Sequence, residues 1–260
     1  MIFKTPSPIQ EIKLNIHNPN NVKLYVKRED LIHNIVSGNK WRKLKYNFDY
    51  IINNKIKTIL SFGGAYSNHL HALSWLAKKN KIKSIGLVRG EELSKKNPTL
   101  SFCLKNNMEL YFVDRKIYRE SKYDNETINM IKRNNKNLFI IPEGGFNHLG
   151  IKGCEEIMNE VDGFFNIICS SIGTGCTAIG LIKSLNKSQF FLGFSSFKNY
   201  NFINQNIENY INFKSNWNLN SDYNFGGFGK INSELKSFMS IFEKNYKITL
   251  DPVYNSKTLF

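Results

Sequence analysis

The chain has 260 residues, of which 41% are hydrophobic and 13% aromatic. That composition excludes a disordered protein, and the length allows one large domain or two lobes with a sizeable core. Its 36 Lys and Arg outweigh 21 Asp and Glu, for a formal net charge of +15. Lysines such as Lys78, Lys79, Lys132, Lys183 and Lys187 are scattered rather than aligned on one periodic face, and Asn, Ile, Phe and Tyr are abundant beside them. All of these have AT-rich codons, so the charge reads as compositional bias, and nucleic acid is not an expected partner.

In chain order, Val22–Lys27 alternates apolar and polar residues and predicts a strand. A helix is expected from Trp41 to just before Asn53. Thr58–Phe62 predicts a strand running into Gly63-Gly64, after which Ser67 opens a helix with Leu70, Leu73, Leu76 and Ala77 on its apolar side. Further strands are expected at 84–88, 109–113 and 137–141, with helical segments between them. Pro142-Glu143-Gly144-Gly145 breaks the pattern, and a helix through Glu155, Ile157 and Met158 follows. The apolar run Phe164–Cys169 predicts a strand buried on both faces, with Cys169 a small core residue. Strands alternating with helices imply an α/β architecture rich in parallel sheet, whose ligands bind beyond the carboxyl ends of the strands.

The four cysteines, Cys103, Cys154, Cys169 and Cys176, have no metal-ligand spacing, and neither His71 nor His148 has a companion at such a spacing. No metal is expected. With no secretory leader at Met1–Lys4 and no long apolar span, the expected location is the cytoplasm, with reduced thiols and no membrane.

Three short stretches point to chemistry. Gly173-Thr174-Gly175-Cys176-Thr177 lies between an apolar strand and a helix, where backbone amides and the Thr174 and Thr177 hydroxyls would hold a phosphate. A Walker A loop needs a Gly-Lys-Ser/Thr ending, which is absent. Gly173-x-Gly175-x-x-Ala178 matches a loose dinucleotide fingerprint, but Leu192–Gln205 contains no acidic residue for a ribose. Ser37-Gly38-Asn39-Lys40 presents a lysine amine on a turn, with Trp41 directly after it. Partial burial disfavours an ammonium, and the neutral amine is the form that attacks an aldehyde. Lys43 falls one helical turn further on and would reach the phosphate if a helix starts here. Ser67-Asn68-His69 sits at a second strand–loop–helix junction, with Ser67 an N-cap and His69 more readily a structural histidine than a base. No Gly-x-Ser-x-Gly elbow accompanies it. An amine, a polar clamp and a phosphate cup together fit pyridoxal 5'-phosphate.

Taken together these residues resemble the family of 1-aminocyclopropane-1-carboxylate deaminases and D-cysteine desulfhydrases, which are fold-type II pyridoxal-phosphate enzymes. The resemblance runs from about Pro8 to the last residue. It includes Val26–Leu31, Ser37–Leu44, Phe62–His69, Pro142–Gly145, Gly173–Thr177, Asp222–Gly227 and Asp251–Tyr254. It implies a two-lobed α/β fold of the tryptophan synthase β type, with parallel-rich sheets, flanking helices and the cofactor in the cleft. The larger lobe would comprise 1–52 and 156–260, and the smaller lobe 53–155. By the same resemblance Lys40 forms the Schiff base and moves protons, and Asn68 hydrogen-bonds the phenolic oxygen of the cofactor. Ser67 meets the substrate, Lys43 and Gly173, Thr174, Gly175, Cys176 and Thr177 hold the phosphate, and Tyr254 assists proton transfer. The implied reaction releases a 2-oxo acid and ammonia from a small amino acid such as D-cysteine or 1-aminocyclopropane-1-carboxylate, and the implied assembly is a homodimer.

The sequence also departs from the family pattern. Asn255 stands where the deaminases carry Glu, which argues against cyclopropane ring opening. Phe228 stands where the family has tyrosine, and Cys176 replaces a smaller residue. The family continues past the position of Phe260 into a helix and a final strand. A shortened or decayed relative that binds pyridoxal phosphate with little turnover is therefore the alternative expectation.

Overall fold

A computed structural model describes residues 2–14, 17–91, 97–161, 163–198, 200–211 and 216–260. The chain packs as two compact units. One comprises Met1–Thr5 and Glu29–Gly153, the other Pro6–Arg28 and Cys154–Phe260.

The first unit is built on a four-stranded parallel sheet of order β5-β4-β3-β6, formed by β3 (Thr58–Gly64), β4 (Lys83–Arg89), β5 (Met108–Val113) and β6 (Leu138–Ile141). Strand β3 is buried almost throughout because it is paired on both edges and covered on both faces. On one face α1 (Asn39–Asn53) and α2 (Asn68–Lys79) enclose Leu44, Phe48, Ile51, Ile59, Leu70 and Leu73. On the other, α4 (Arg115–Ser121) and α5 (Glu126–Asn134) bring Tyr118, Ile128 and Ile131 onto Leu60, Phe62 and Leu87. Helix α3 (Pro98–Lys105) and α6 (His148–Asn159) complete the alternation, α6 crossing from this unit into the next at Gly153. Leu44, Phe48 and Ile51 recur at helical spacing, which is why α1 packs here, although the sequence assigned residues 39–52 to the other lobe.

The second unit holds a three-stranded parallel sheet of order β7-β8-β9, from β7 (Ile167–Ile172), β8 (Phe190–Ser195) and β9 (Trp217–Asn220). Around it lie α7 (Cys176–Lys183), α8 (Asn201–Glu208), α9 (Ser233–Tyr246) and α10 (Asn255–Leu259). The hairpin of β1 (Ile9–Ile12) and β2 (Leu24–Lys27) packs Ile12, Leu24 and Val26 against Phe242 and Leu250.

One expectation fails here. The strand expected over Phe164–Cys169 begins only at Ile167, and it is an edge strand of its sheet among the described residues. Phe164 and Ile167 are each 60% exposed, and Cys169 is exposed as well. Phe164 and Phe165 leave the strand to meet the Tyr25 ring edge-on at 6.1 and 5.2 Å, so the apolar run is divided between an aromatic cluster and a sheet edge.

Candidate functional site

In the first unit the polar residues of interest gather at the start of two helices. Gly38 precedes α1 with φ +62° and ψ −151°, a backbone that side chains rarely adopt, and this sharp entry sets Asn39 and Lys40 in the first helical turn. The helix thus begins two residues earlier than its sequence pattern indicates. Lys40 is half-buried and its Nζ donates to Asn39 Oδ1 at 2.5 Å. Lys43, one turn on, is 6% exposed.

The segment is anchored from beneath by Arg42, which is 1% exposed. Its Nε and Nη2 donate to the two carboxylate oxygens of Glu29, both at 2.9 Å. The Glu29 carbonyl also accepts the Gly38 amide at 3.0 Å, so one residue holds both the turn before Lys40 and the helix after it.

Ser67 caps α2 as expected, its Oγ accepting the Leu70 amide at 3.2 Å. A hydroxyl that accepts in this way keeps its own proton for another partner. Asn68 is exposed at the first position of the helix. His69, by contrast, is 3% exposed. The Ser61 hydroxyl donates to the Ile141 carbonyl at 2.8 Å, so its oxygen accepts Nε2–H of His69 at 2.9 Å. That assignment leaves a buried lone pair on His69 Nδ1 with no partner among the described residues.

Burial first, then the nearby Lys40 and Lys43 cations, push the His69 pKa from 6.5 down to about 3. His69 is therefore a fixed neutral ring and a poor base. Its linkage to stability has a definite sign. Between pH 6.5 and about 3 the unfolded chain binds the proton and the folded chain does not, so stability falls as pH falls through that window and is unaffected above it. Urea melts at pH 7 and pH 5 should show His69→Gln with a weaker loss on acidification than the parent. An equal loss in both proteins would remove His69 as the cause.

In the second unit the Gly173–Thr177 loop joins β7 to α7. Gly175 adopts φ +98° at the N-cap of α7, which carries no side-chain cap, so the amides of the first turn are presented to a ligand. The Thr174 hydroxyl is buried and has no partner among the described residues. A buried, unsatisfied hydroxyl costs free energy unless something accepts or donates to it, and a phosphate oxygen would. Cys176 is fully buried and the Thr177 hydroxyl accepts the Cys154 thiol at 3.9 Å.

Gly173 also has a packing role. A Cβ there would lie 3.3 Å from both Cε1 and Oη of Tyr254, so the glycine makes room for that ring. Tyr254 is held by Asp251, whose Oδ1 accepts the Val253 and Tyr254 amides at 2.9 and 2.7 Å. Ser196 Oγ donates to the Val253 carbonyl at 2.7 Å, and Ser171 Oγ donates to Asn255 Oδ1 at 3.2 Å. Phe228 stacks on Phe197, with centroids 5.0 Å apart, and presents an edge to Tyr254 at 5.9 Å.

An unsatisfied hydroxyl, an uncapped helix start after a left-handed glycine and a tyrosine packed on a side-chain-free residue fit a phosphorylated aromatic cofactor. Sequence reasoning missed Glu29, Ser61 and Lys257. Their partners are 13, 8 and about 30 residues away, which no local pattern encodes. No group of His, Cys, Asp and Glu suited to a metal occurs among the described residues, and no described helix is long and apolar enough to cross a membrane.

No protein-family model matches the chain. A protein of Pyrococcus abyssi, provisionally named a 1-aminocyclopropane-1-carboxylate deaminase, is 27% identical over 98% of this chain and 82% of its own length. The mitochondrial bifunctional D-cysteine desulfhydrase/1-aminocyclopropane-1-carboxylate deaminase of Arabidopsis thaliana is 26% identical over 68% of this chain and 48% of its own. A crystal structure described as a homologue of 1-aminocyclopropane-1-carboxylate deaminase superposes with a TM-score of 0.83 at 25% identity. It covers 100% of this chain and 84% of its own.

Proposed function

We propose that this chain, which belongs to the family of 1-aminocyclopropane-1-carboxylate deaminases and D-cysteine desulfhydrases within the fold-type II pyridoxal-phosphate enzymes, is a pyridoxal-phosphate-dependent desulfhydrase or deaminase of a small amino acid. With water consumed, it would release a 2-oxo acid and ammonia, together with sulfide when the substrate is D-cysteine, which is preferred to the cyclopropane substrate. The observation that carries the reading is the Thr174 hydroxyl, buried without a partner in a loop whose next residue turns left-handed into a helix.

The phosphate would be held by the amides and hydroxyls of 173–177, with Lys43 as the cation. When bound, the cofactor supplies an electron sink that stabilises negative charge at the α-carbon of the substrate. Lys40 Nζ would tether the cofactor and, once displaced by the substrate amine, take the α-proton. Asn68, exposed at the start of α2, would donate to the cofactor's ring oxygen. The Ser67 hydroxyl keeps a donor for the substrate carboxylate, since its oxygen is already used in capping. Tyr254 would hold or return a proton through its hydroxyl, while its neighbour Phe228 has none to offer.

The preference for D-cysteine follows from position 255. A cyclopropane lacks an α-proton, so opening it demands an additional acid or base. Asn255 does not ionise and its side-chain oxygen accepts from Ser171. Incubation with D-cysteine, D-serine and 1-aminocyclopropane-1-carboxylate, followed by 2-oxo acid assay, should give D-cysteine a lead of at least ~10-fold, a barrier difference of about 1.4 kcal/mol. Faster release from the cyclopropane would reverse the assignment. Release from none would end it.

A further inference from the structure

We propose that Lys257 is a positioning residue that pins the 224–227 turn and thereby places the Phe228–Tyr254 ring pair, so that the Tyr254 hydroxyl is set by an ammonium it never touches. The inference rests on the reading of Tyr254 as a proton-handling group.

Lys257 is 2% exposed in the short helix that follows Tyr254. Its Nζ donates to the Asn224 carbonyl at 2.8 Å and the Gly227 carbonyl at 2.8 Å. Gly227 N in turn donates to the Asn224 carbonyl at 3.0 Å, so the ammonium closes a turn already formed by the backbone. Phe228 leaves that turn directly, stacked on Phe197 and edge-on to Tyr254. On the helix side, Lys257 N donates to the Tyr254 carbonyl at 3.1 Å. One side chain thus bridges the two segments that carry the two rings.

Burial of an ammonium is costly, and an apolar residue of similar volume would fill this space without that cost. Desolvation holds the Lys257 pKa below its ordinary value, with Asp251 opposing. What the charge provides instead is direction. Two carbonyl oxygens converge on one nitrogen, and charge-assisted hydrogen bonds of this kind fix the turn against slippage. Packing alone would not distinguish one register of a turn that contains Gly226 and Gly227.

The test compares the parent with Lys257→Met and Lys257→Arg by amide hydrogen exchange without added cofactor, and by kinetics with cofactor and D-cysteine. Lys257→Met should speed exchange ~10-fold in peptides spanning 222–230 and 252–256 while β7 and β8 keep their protection. It should also lower kcat ~10-fold with KM nearly unchanged. Lys257→Arg, which keeps donors to both carbonyls, should restore most of both losses. Equal loss of protection across β7 and β8, no local change, or no rescue by Arg would each overturn the proposal. So would failure of both variants to fold, because Lys257 would then be a pillar of the core. Should the parent itself lack activity, the function proposed above fails separately, and the exchange comparison still decides whether Lys257 holds the turn.

Discussion

Lys40→Ala should abolish the visible absorption of the protein loaded with pyridoxal phosphate and lower 2-oxo acid release by roughly 10²–10⁴-fold, the usual share of a lost acid–base group. The change removes the only part of the side chain that can form a covalent bond to an aldehyde. It leaves Arg42, Leu44 and Phe48 of the same helix packed as before. Thermal unfolding of the variant should therefore match the parent within about 1 kcal/mol, since Lys40 is only half-buried and its Nζ bonds to the adjacent side chain. Borohydride reduction followed by peptide mapping provides the direct check. A label on Lys43 rather than Lys40 would shift the tether by one helical turn, and no label at either residue would sink the pyridoxal reading.

The sequence made the first unit largely legible because its signals are local. Ser67 followed by Leu70, Leu73, Leu76 and Ala77 predicts the α2 start that the Ser67 cap and the buried face bear out. The parallel strands of this unit likewise follow from short apolar runs ended by glycine or polar residues. The second unit was harder to read. Phe164–Cys169 has the composition of a central strand, yet its place in the sheet depends on which strand lies alongside, and composition carries no such information. Strand β8 includes Gly193, whose missing side chain leaves room for Ile172 Cδ1 where a Cβ would be. That requirement is tertiary and looks in sequence like a weak strand.

For the candidate site, residue types were legible and their supports were not. Lys40, Ser67 and Gly175 stand out through neighbours one to three residues away. Glu29 and Lys257 act across loops, and a carbonyl acceptor such as Asn224 O leaves no trace in a side-chain pattern. Gly173 illustrates a third case, in which the residue is evident in the sequence but the Tyr254 ring it accommodates is not.

Glu29→Gln should destabilise the protein by roughly 1–3 kcal/mol, because the buried Arg42 guanidinium exchanges a two-oxygen carboxylate partner for a neutral amide. Arg42 is almost wholly enclosed and donates to both carboxylate oxygens in a side-on pair, a geometry that an amide can satisfy at only one of two positions. The effect should extend to the site, because the Glu29 backbone also accepts the Gly38 amide that shapes the entry to Lys40. Replacing both partners, as Glu29→Leu with Arg42→Met, should recover much of the lost stability, since an apolar pair of similar volume has no desolvation to offset. Urea unfolding of the two single variants and the double variant measures the coupling. A single-variant cost under about 1 kcal/mol would show that the pair does not anchor the lysine. If the double variant regains stability yet still loads cofactor poorly, the ion pair serves chiefly to orient the turn at Gly38.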